Sequence, residues 1–348
     1  MKKNMMSVVY RDAGDIRLEP RPVPVLRDPL DAIVQVTRST ICTSDLHILN
    51  GAVPRARPGV VLGHEFVGEV VSVGSGITQL QPGDRVAANC ETFCGECWYC
   101  RHGYVNNCER GGWELGCRID GCQAEYVRVP FAHTGLVKLP DSVSDEAALF
   151  TGDILSSAYW GAQLAEIHTG DTVAVLGAGP VGLCSMAYAR LLGAGTVICI
   201  EPDPFRRTVA LTNRLAGLAL DPADPELSEK IRAQSHGRGA DSVIEAAGSA
   251  SSFETAWRIA RPNAVVVLVA MYEAPQTLPL PEMYGKNLIF KTGGVDACRC
   301  GELLHLIEQG KLDTSFLITH RAPLRDILEG YRVFEKRLEH CIKWVVTP

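Results

Sequence analysis

The chain has 348 residues, long for a single hydrophobic core and comfortable for two. Its 46% apolar and 21% charged residues are ordinary for a globular protein, and the net charge of -6 argues against a nucleic-acid or polybasic membrane surface. Thirteen cysteines are the abnormal count. Odd in number and with no readable export signal in residues 1–9, they point to a reducing, cytoplasmic setting where clustered thiols bind metal rather than pair as disulfides.

Up to about residue 150, Val, Gly and Pro recur in short alternating runs, at 32–36, 67–73 and 85–88. These read as short strands joined by turns, hence an irregular β body. Within it lie Cys42-Thr43-Ser44-Asp45-Leu46-His47 and Gly63-His64-Glu65. Taken singly, Cys42 also reads as a core cysteine and His64 as a satisfied histidine. Further on comes Cys94-x-x-Cys97-x-x-Cys100, followed by Cys108 in a Gly-rich loop. Four thiolates this close can wrap one tetrahedral Zn²⁺ at about 2.3 Å each. No position would be left open, so this zinc is expected to be structural, and its binding energy to be folding energy for the lobe at about 90–112. Cys90, four residues upstream, reads as a spare thiol.

The character changes near Asp153, which by itself reads as a helix N-cap. Residues 173–176 form a continuous apolar strand, 180–192 a helix, 196–200 a second buried strand and 204–216 another helix. Strands follow at 241–246 and 264–270. Strands alternating with helices predict a parallel sheet with helices on both faces, an α/β doubly wound Rossmann domain. After Gly294 come helical stretches at 301–308 and 324–335. The chain ends on an apolar strand, 342–346, expected to return to the first domain. No apolar run approaches the roughly 20 residues of a membrane helix. Cys298-x-Cys300 reads as a buried pair at a helix start, and Cys117, Cys122, Cys184, Cys199 and Cys341 as small packing residues.

Gly177-Ala178-Gly179-Pro180-Val181-Gly182 follows the 173–176 strand and opens a helix, the context that a G-x-G-x-x-G dinucleotide loop requires. Gly177 permits the turn, Gly179 lets the backbone approach a pyrophosphate, and Gly182 lets helix and strand pack closely. The next strand leads to Glu201, where an acid accepts hydrogen bonds from ribose hydroxyls and repels the 2′-phosphate of NADP. NAD is therefore the expected cofactor. Arg206, just behind, is a candidate ribose contact.

The order of these motifs, from Cys42 and His64 through the four-cysteine lobe to the glycine loop, resembles the zinc-containing medium-chain dehydrogenase family, which includes the alcohol dehydrogenases. The resemblance runs over nearly the whole chain. It implies a GroES-like, mostly-β catalytic domain over 1–154 and 297–348, and an NAD-binding Rossmann domain over 155–296. Cys42, His64 and Asp153 would hold a catalytic zinc, with Glu65 a possible fourth ligand; many members place a cysteine where this chain has Asp153. Aspartate there resembles the bacterial secondary-alcohol and formaldehyde dehydrogenase branches, and Trp113 as a pocket wall resembles the secondary-alcohol branch. Trp113 reads equally as a core aromatic. Ser44 and His47 match the family's proton relay, and Ser157 the hydroxyl residue packed near the nicotinamide.

The implied activity is reversible hydride transfer between a secondary alcohol or ketone and NAD(H), with two zinc ions per chain and a homodimer or homotetramer as the assembly. Formaldehyde or aldehyde, polyol and hydroxysteroid substrates stay open as alternatives. A non-enzymatic binding protein is disfavoured, because such a protein would be expected to lose its catalytic ligands.

Overall fold

The computed structural model describes residues 3–348; residues 1 and 2, the start of the segment read above for an export signal, lie outside that range. The chain divides into two compact units, one formed by Met1–Ser156 with Asp296–Pro348 and the other by Ser157–Val295.

The first unit opens with a hairpin, β1 (Asn4–Asp12) and β2 (Asp15–Pro22). Five short strands follow: β3 (Ala32–Thr40), β4 (Phe66–Val73), β5 (Arg85–Ala88), β6 (Tyr126–Val129) and β7 (Leu136–Lys138). They pair antiparallel, with β3 between β4 and β6. Their inward positions, among them Val34, Val36, Phe66, Val86 and Val127, form one core cluster, the packing that period-two alternation predicts. The helix Ile154–Leu164 then carries the chain out of this unit.

The second unit holds β8 (Thr172–Leu176), β9 (Thr196–Ile200), β10 (Leu218–Leu220), β11 (Ala240–Glu245), β12 (Ala260–Leu268) and β13 (Ile289–Thr292). All neighbours are parallel, in the order β10-β9-β8-β11-β12-β13. This is the doubly wound 3-2-1-4-5-6 arrangement, which accommodates ligands at the carboxyl ends of the strands where the order reverses, between β8 and β11. Every residue of β8 is buried, as a central parallel strand covered on both faces must be.

The returning chain adds β14 (Ile318–Pro323) and β15 (Lys343–Thr347) to the sheet of the first unit. β15 pairs parallel with β14 and antiparallel with β3, where Val345 faces Thr40. The C-terminal strand thereby lies beside the loop that carries Cys42.

Some element ends differ from the sequence pattern. The helix expected over 204–216 stops at Thr212. There Asn213 Nδ2 donates to the Val209 carbonyl at 2.9 Å, and Arg214 takes the left-handed φ of 55° with which helices commonly end. The stretch 324–335 divides into a 3₁₀ turn, Leu324–Asp326, and the helix Ile327–Glu335. Cys300 is buried as expected, but Cys298 is exposed because it precedes the helix Cys300–Glu308 instead of opening it. Among the described residues, no helix is long and apolar enough to cross a membrane.

Candidate active site

Cys42 precedes the helix Thr43–Leu49, and Asp45 in its first turn accepts the Cys42 N–H at 2.9 Å, fixing the loop that presents the thiol. His64 follows Gly63, whose φ of 95° is left-handed and whose missing Cβ would stand 2.6 Å from Gln123 Cγ. Only glycine lets the chain turn there and bring the imidazole inward. Asp153 stands just before the helix Ile154–Leu164.

These separate segments converge: one donor atom from each of Cys42, His64, Glu65 and Asp153 lies within 4.8 Å of the other three. His64 Nε2 is 3.1 Å from Asp153 Oδ2, and Cys42 Sγ is 3.6 Å from the same oxygen. The other imidazole nitrogen, Nδ1, faces Asp45 Oδ1 at 3.5 Å. Asp45 Oδ2 also accepts from Gln123 Nε2 at 3.0 Å, and Gln123 Oε1 accepts from the Tyr331 hydroxyl at 2.7 Å. A carboxylate behind a histidine fixes the ring and raises its basicity, the usual support of a metal-binding imidazole.

The charges explain what this cluster needs. Burial pushes the Cys42 thiol up to about 11, with the Glu65 charge adding to the effect. Burial likewise pushes the Glu65 carboxyl up to about 7, against the pull of Lys343. Burial opposes the charges of Asp153 and His64 too, yet their hydrogen bond to each other lowers the one and raises the other. A thiolate and two carboxylates at this separation ionise together only around added positive charge. Sulfur, imidazole and carboxylate donors at tetrahedral-edge spacing fit Zn²⁺.

Around this cluster, Ser44 Oγ lies 3.7 Å from Cys42 Sγ. His47 is half-buried in the last turn of the same helix. The half-buried Trp113 meets the His64 ring edge-on at 5.8 Å and 70°, with the Arg55 guanidinium 5.0 Å over the indole. Ser157 is half-buried in the helix Ile154–Leu164, one turn along the chain from Asp153.

The second cluster is Cys94, Cys97, Cys100 and Cys108, again with all four sulfurs within 4.8 Å of one another. The Cys97–Cys100 and Cys94–Cys100 sulfur separations are 3.4 and 3.9 Å. A tetrahedral zinc–thiolate site has an edge of about 3.8 Å, given its bond length of about 2.3 Å. Backbone N–H groups of Cys97, Cys94 and Arg110 point at these sulfurs. Burial would raise the Cys94 thiol, but the N–H groups of Glu96 and Cys97, with Arg110, hold it at about 6. Cys97 is lowered too, by backbone N–H groups, so these two favour thiolate, the form that binds metal, while burial raises Cys100 and Cys108.

In the second unit, Gly177 to Gly182 links β8 to the helix Pro180–Leu191, whose first residue is proline. A Cβ on Gly182 would stand 1.9 Å from the Gly177 carbonyl oxygen, so helix and loop approach too closely for any side chain. The free N–H groups at such a helix start suit a pyrophosphate. Glu201 is buried just beyond β9; its Oε2 accepts the Ala178 N–H at 2.7 Å and its Oε1 the Asp203 N–H at 3.0 Å. It thus braces the glycine loop, and a carboxylate retains acceptor capacity for a hydroxyl. Arg206 is buried, its Nη1 3.8 Å from where a Cβ on Gly179 would stand.

Comparison with known proteins agrees with this geometry. Residues 28–141 match the alcohol dehydrogenase GroES-like domain, and residues 180–303 the zinc-binding dehydrogenase domain. An alcohol dehydrogenase of Cupriavidus necator is 35% identical, over all of both chains. The chain belongs to the zinc-dependent alcohol dehydrogenase family of medium-chain dehydrogenases. The NADP-dependent isopropanol dehydrogenase of Thermoanaerobacter brockii is 34% identical over 91% of this chain and 89% of its own. The alcohol dehydrogenase TADH from Thermus sp. ATN1 superimposes with a TM-score of 0.91 at 37% identity, over 99% of each chain. Membership of this alcohol dehydrogenase family makes the chain an oxidoreductase with a GroES-like and a Rossmann domain, a dependence on zinc and a nucleotide cofactor.

Within this alcohol dehydrogenase framework, several residues at the cluster had escaped the sequence reading. Lys343 is 1% exposed, and its Nζ donates to Glu65 Oε1 at 2.6 Å and to the Ile41 carbonyl at 3.0 Å. Burial lowers its affinity for a proton, but Glu65 and Cys42 outweigh that and raise it. The available signal was a charged residue inside an otherwise apolar terminal strand. Glu91 is buried and accepts the Ala297 N–H at 3.1 Å. Burial pushes its carboxyl up to about 8. Cys90, read as a spare, is also buried, and its N–H donates to the Gly152 carbonyl at 3.1 Å, next to Asp153.

Proposed function

We propose that the protein is an NAD(H)-linked alcohol dehydrogenase that interconverts secondary alcohols and ketones, with one catalytic and one structural zinc per chain. The observation that carries this reading is the convergence of Cys42, His64 and Asp153 on one point, with Asp45 behind the imidazole. Zinc supplies Lewis acidity toward the substrate oxygen when bound there, and the dinucleotide supplies the hydride acceptor. Ser44 Oγ, beside Cys42 Sγ, accepts the hydroxyl proton of the substrate as it gives up its own, and His47, in the last turn of the same helix, passes that proton to solvent. Trp113 provides an apolar wall next to His64, which favours a carbon substituent on the reacting centre. Glu201 opposes the additional phosphate of NADP. Cys94, Cys97, Cys100 and Cys108 hold the second zinc with no position open to substrate.

The test is a titration of the purified protein with NAD and with NADP against primary alcohols, secondary alcohols and formaldehyde, following the absorbance of the reduced nicotinamide. Turnover of a secondary alcohol with NAD is expected. A preference for NADP would remove Glu201 from the account of cofactor choice. Turnover of formaldehyde without secondary alcohols would replace this substrate class with an aldehyde.

A further inference from the structure

We propose that Tyr331 and Gln123 are positioning residues that hold the Asp45 carboxylate in one orientation and through it aim the His64 imidazole at the catalytic metal. The proposal rests on the reading of Cys42, His64 and Asp153 as zinc ligands.

The two oxygens of Asp45 have different tasks. Oδ2 accepts the Cys42 N–H at 2.9 Å, and Oδ1 faces His64 Nδ1 at 3.5 Å. The second contact is at the limit of hydrogen-bond reach. Both of its atoms are buried, and among the described residues neither has another partner. A small rotation of the carboxylate therefore leaves the imidazole nitrogen buried and unpaired. Gln123 is placed to prevent that rotation.

Gln123 is fully buried beneath the turn that carries His64, its Cγ 2.6 Å from where a Cβ on Gly63 would stand. Its Nε2 donates to Asp45 Oδ2 at 3.0 Å and to the Thr40 carbonyl at 3.3 Å. A carboxylate and a carbonyl are acceptors, so the NH₂ end of the amide faces them and its oxygen faces away. There the Tyr331 hydroxyl donates to Gln123 Oε1 at 2.7 Å. Burial, and then the charge of Asp45, raise this hydroxyl well above the usual tyrosine range, so it stays a donor. The donors thus run one way, from tyrosine through amide to carboxylate. Without the hydroxyl the amide oxygen has no donor, and a flipped amide would set that oxygen against the carboxylate.

Tyr331 is itself fixed. It is buried in the helix Ile327–Glu335, whose Ile327, Val333 and Phe334 share a core cluster with Ile41 and Ile48, on either side of Cys42. A Cβ on the preceding residue, Gly330, would stand 2.7 Å from the Trp344 ring and 3.0 Å from Ile41 Cδ1, so glycine lets the helix lie this close.

The experiment uses the full-length, zinc-loaded protein with a chromophoric chelator as competitor, which reads the affinity of both zinc sites on one sample. Tyr331→Phe is expected to weaken the first site about threefold or more and to leave the four-cysteine site unchanged. In Asp45→Asn the charge that the amide orients is gone, so adding Tyr331→Phe is expected to cost less than about a further twofold. A loss below about threefold in Tyr331→Phe, an equal loss at both sites, or a further loss of about twofold or more in the Asp45→Asn background overturns the proposal. If Tyr331→Phe does not fold, Tyr331→Phe with Gln123→Met decides, because it leaves no amide oxygen unpaired. That double variant is expected to weaken the first site alone by about threefold or more, and a smaller loss overturns the proposal. Failure of the zinc reading itself looks different: the wild type would hold one zinc per chain, in the cysteine lobe alone.

Discussion

Asp45 serves two structures at once. Its Oδ2 holds the Cys42 N–H at 2.9 Å and so starts a helix, while its Oδ1 faces the His64 ring at 3.5 Å. Asp45→Asn keeps the shape but loses the charge behind the imidazole. Zinc affinity at the first site is expected to fall about 10–100-fold, the usual effect of losing such a partner, with the four-cysteine site unchanged. Competition with a chromophoric chelator measures both sites on one sample, and equal weakening of the two would point to a folding defect instead. Glu91 gives a pH signature. Its carboxyl is raised by burial to about 8, so between the ordinary glutamate range and pH 8 the folded chain binds more protons than the unfolded one. The stability this contributes is complete at low pH and is lost as pH rises through about 8. Glu91→Gln, which can keep the bond from the Ala297 N–H, is expected to remove about 1–3 kcal/mol of stability loss between pH 5 and 8. Urea unfolding at several pH values checks this; an unchanged slope would mean that Glu91 is ionised in the fold.

At the scale of elements, the glycine loop is the most constrained turn of the second unit. Gly182→Ala would place a methyl group 1.9 Å from the Gly177 carbonyl oxygen, so the helix Pro180–Leu191 must move away from the loop. Dinucleotide affinity is expected to fall at least tenfold, and stability by about 1–3 kcal/mol, as overpacking does. Nicotinamide fluorescence on titrating the reduced cofactor reads the first effect, and undiminished binding would show that the loop is not the cofactor site. The elements legible in sequence were those whose pattern is local. β8 and its glycine turn were readable because an unbroken apolar run and a G-x-G-x-x-G string carry their own signal. The early stop of the helix at Thr212 was not, because Arg214 adopts a left-handed conformation that its residue type does not announce. The metal-ligand candidates were legible as residues, but their support was not. Gln123, Tyr331 and Lys343 reach the cluster through contacts between residues 78, 208 and 278 positions apart, and no local spacing encodes that.

For the whole molecule, all eight residues of the two clusters lie in the unit formed by Met1–Ser156 and Asp296–Pro348. The glycine loop Gly177 to Gly182 lies in the other, whose strand order reverses beside it. The proposed metal sites and the proposed cofactor site are thus carried by different units of the chain. The two proposed zinc sites differ in kind, one closed by four sulfurs and one built from sulfur, imidazole and carboxylate. The most direct measurement is zinc per chain by atomic emission, with alcohol turnover on the same samples, for the wild type and for Cys42→Ala. Two zinc ions and turnover are expected for the wild type, and one zinc ion with no turnover for the variant. A variant that keeps both zinc ions, or a wild type that holds only one, would contradict a catalytic zinc at Cys42, His64 and Asp153.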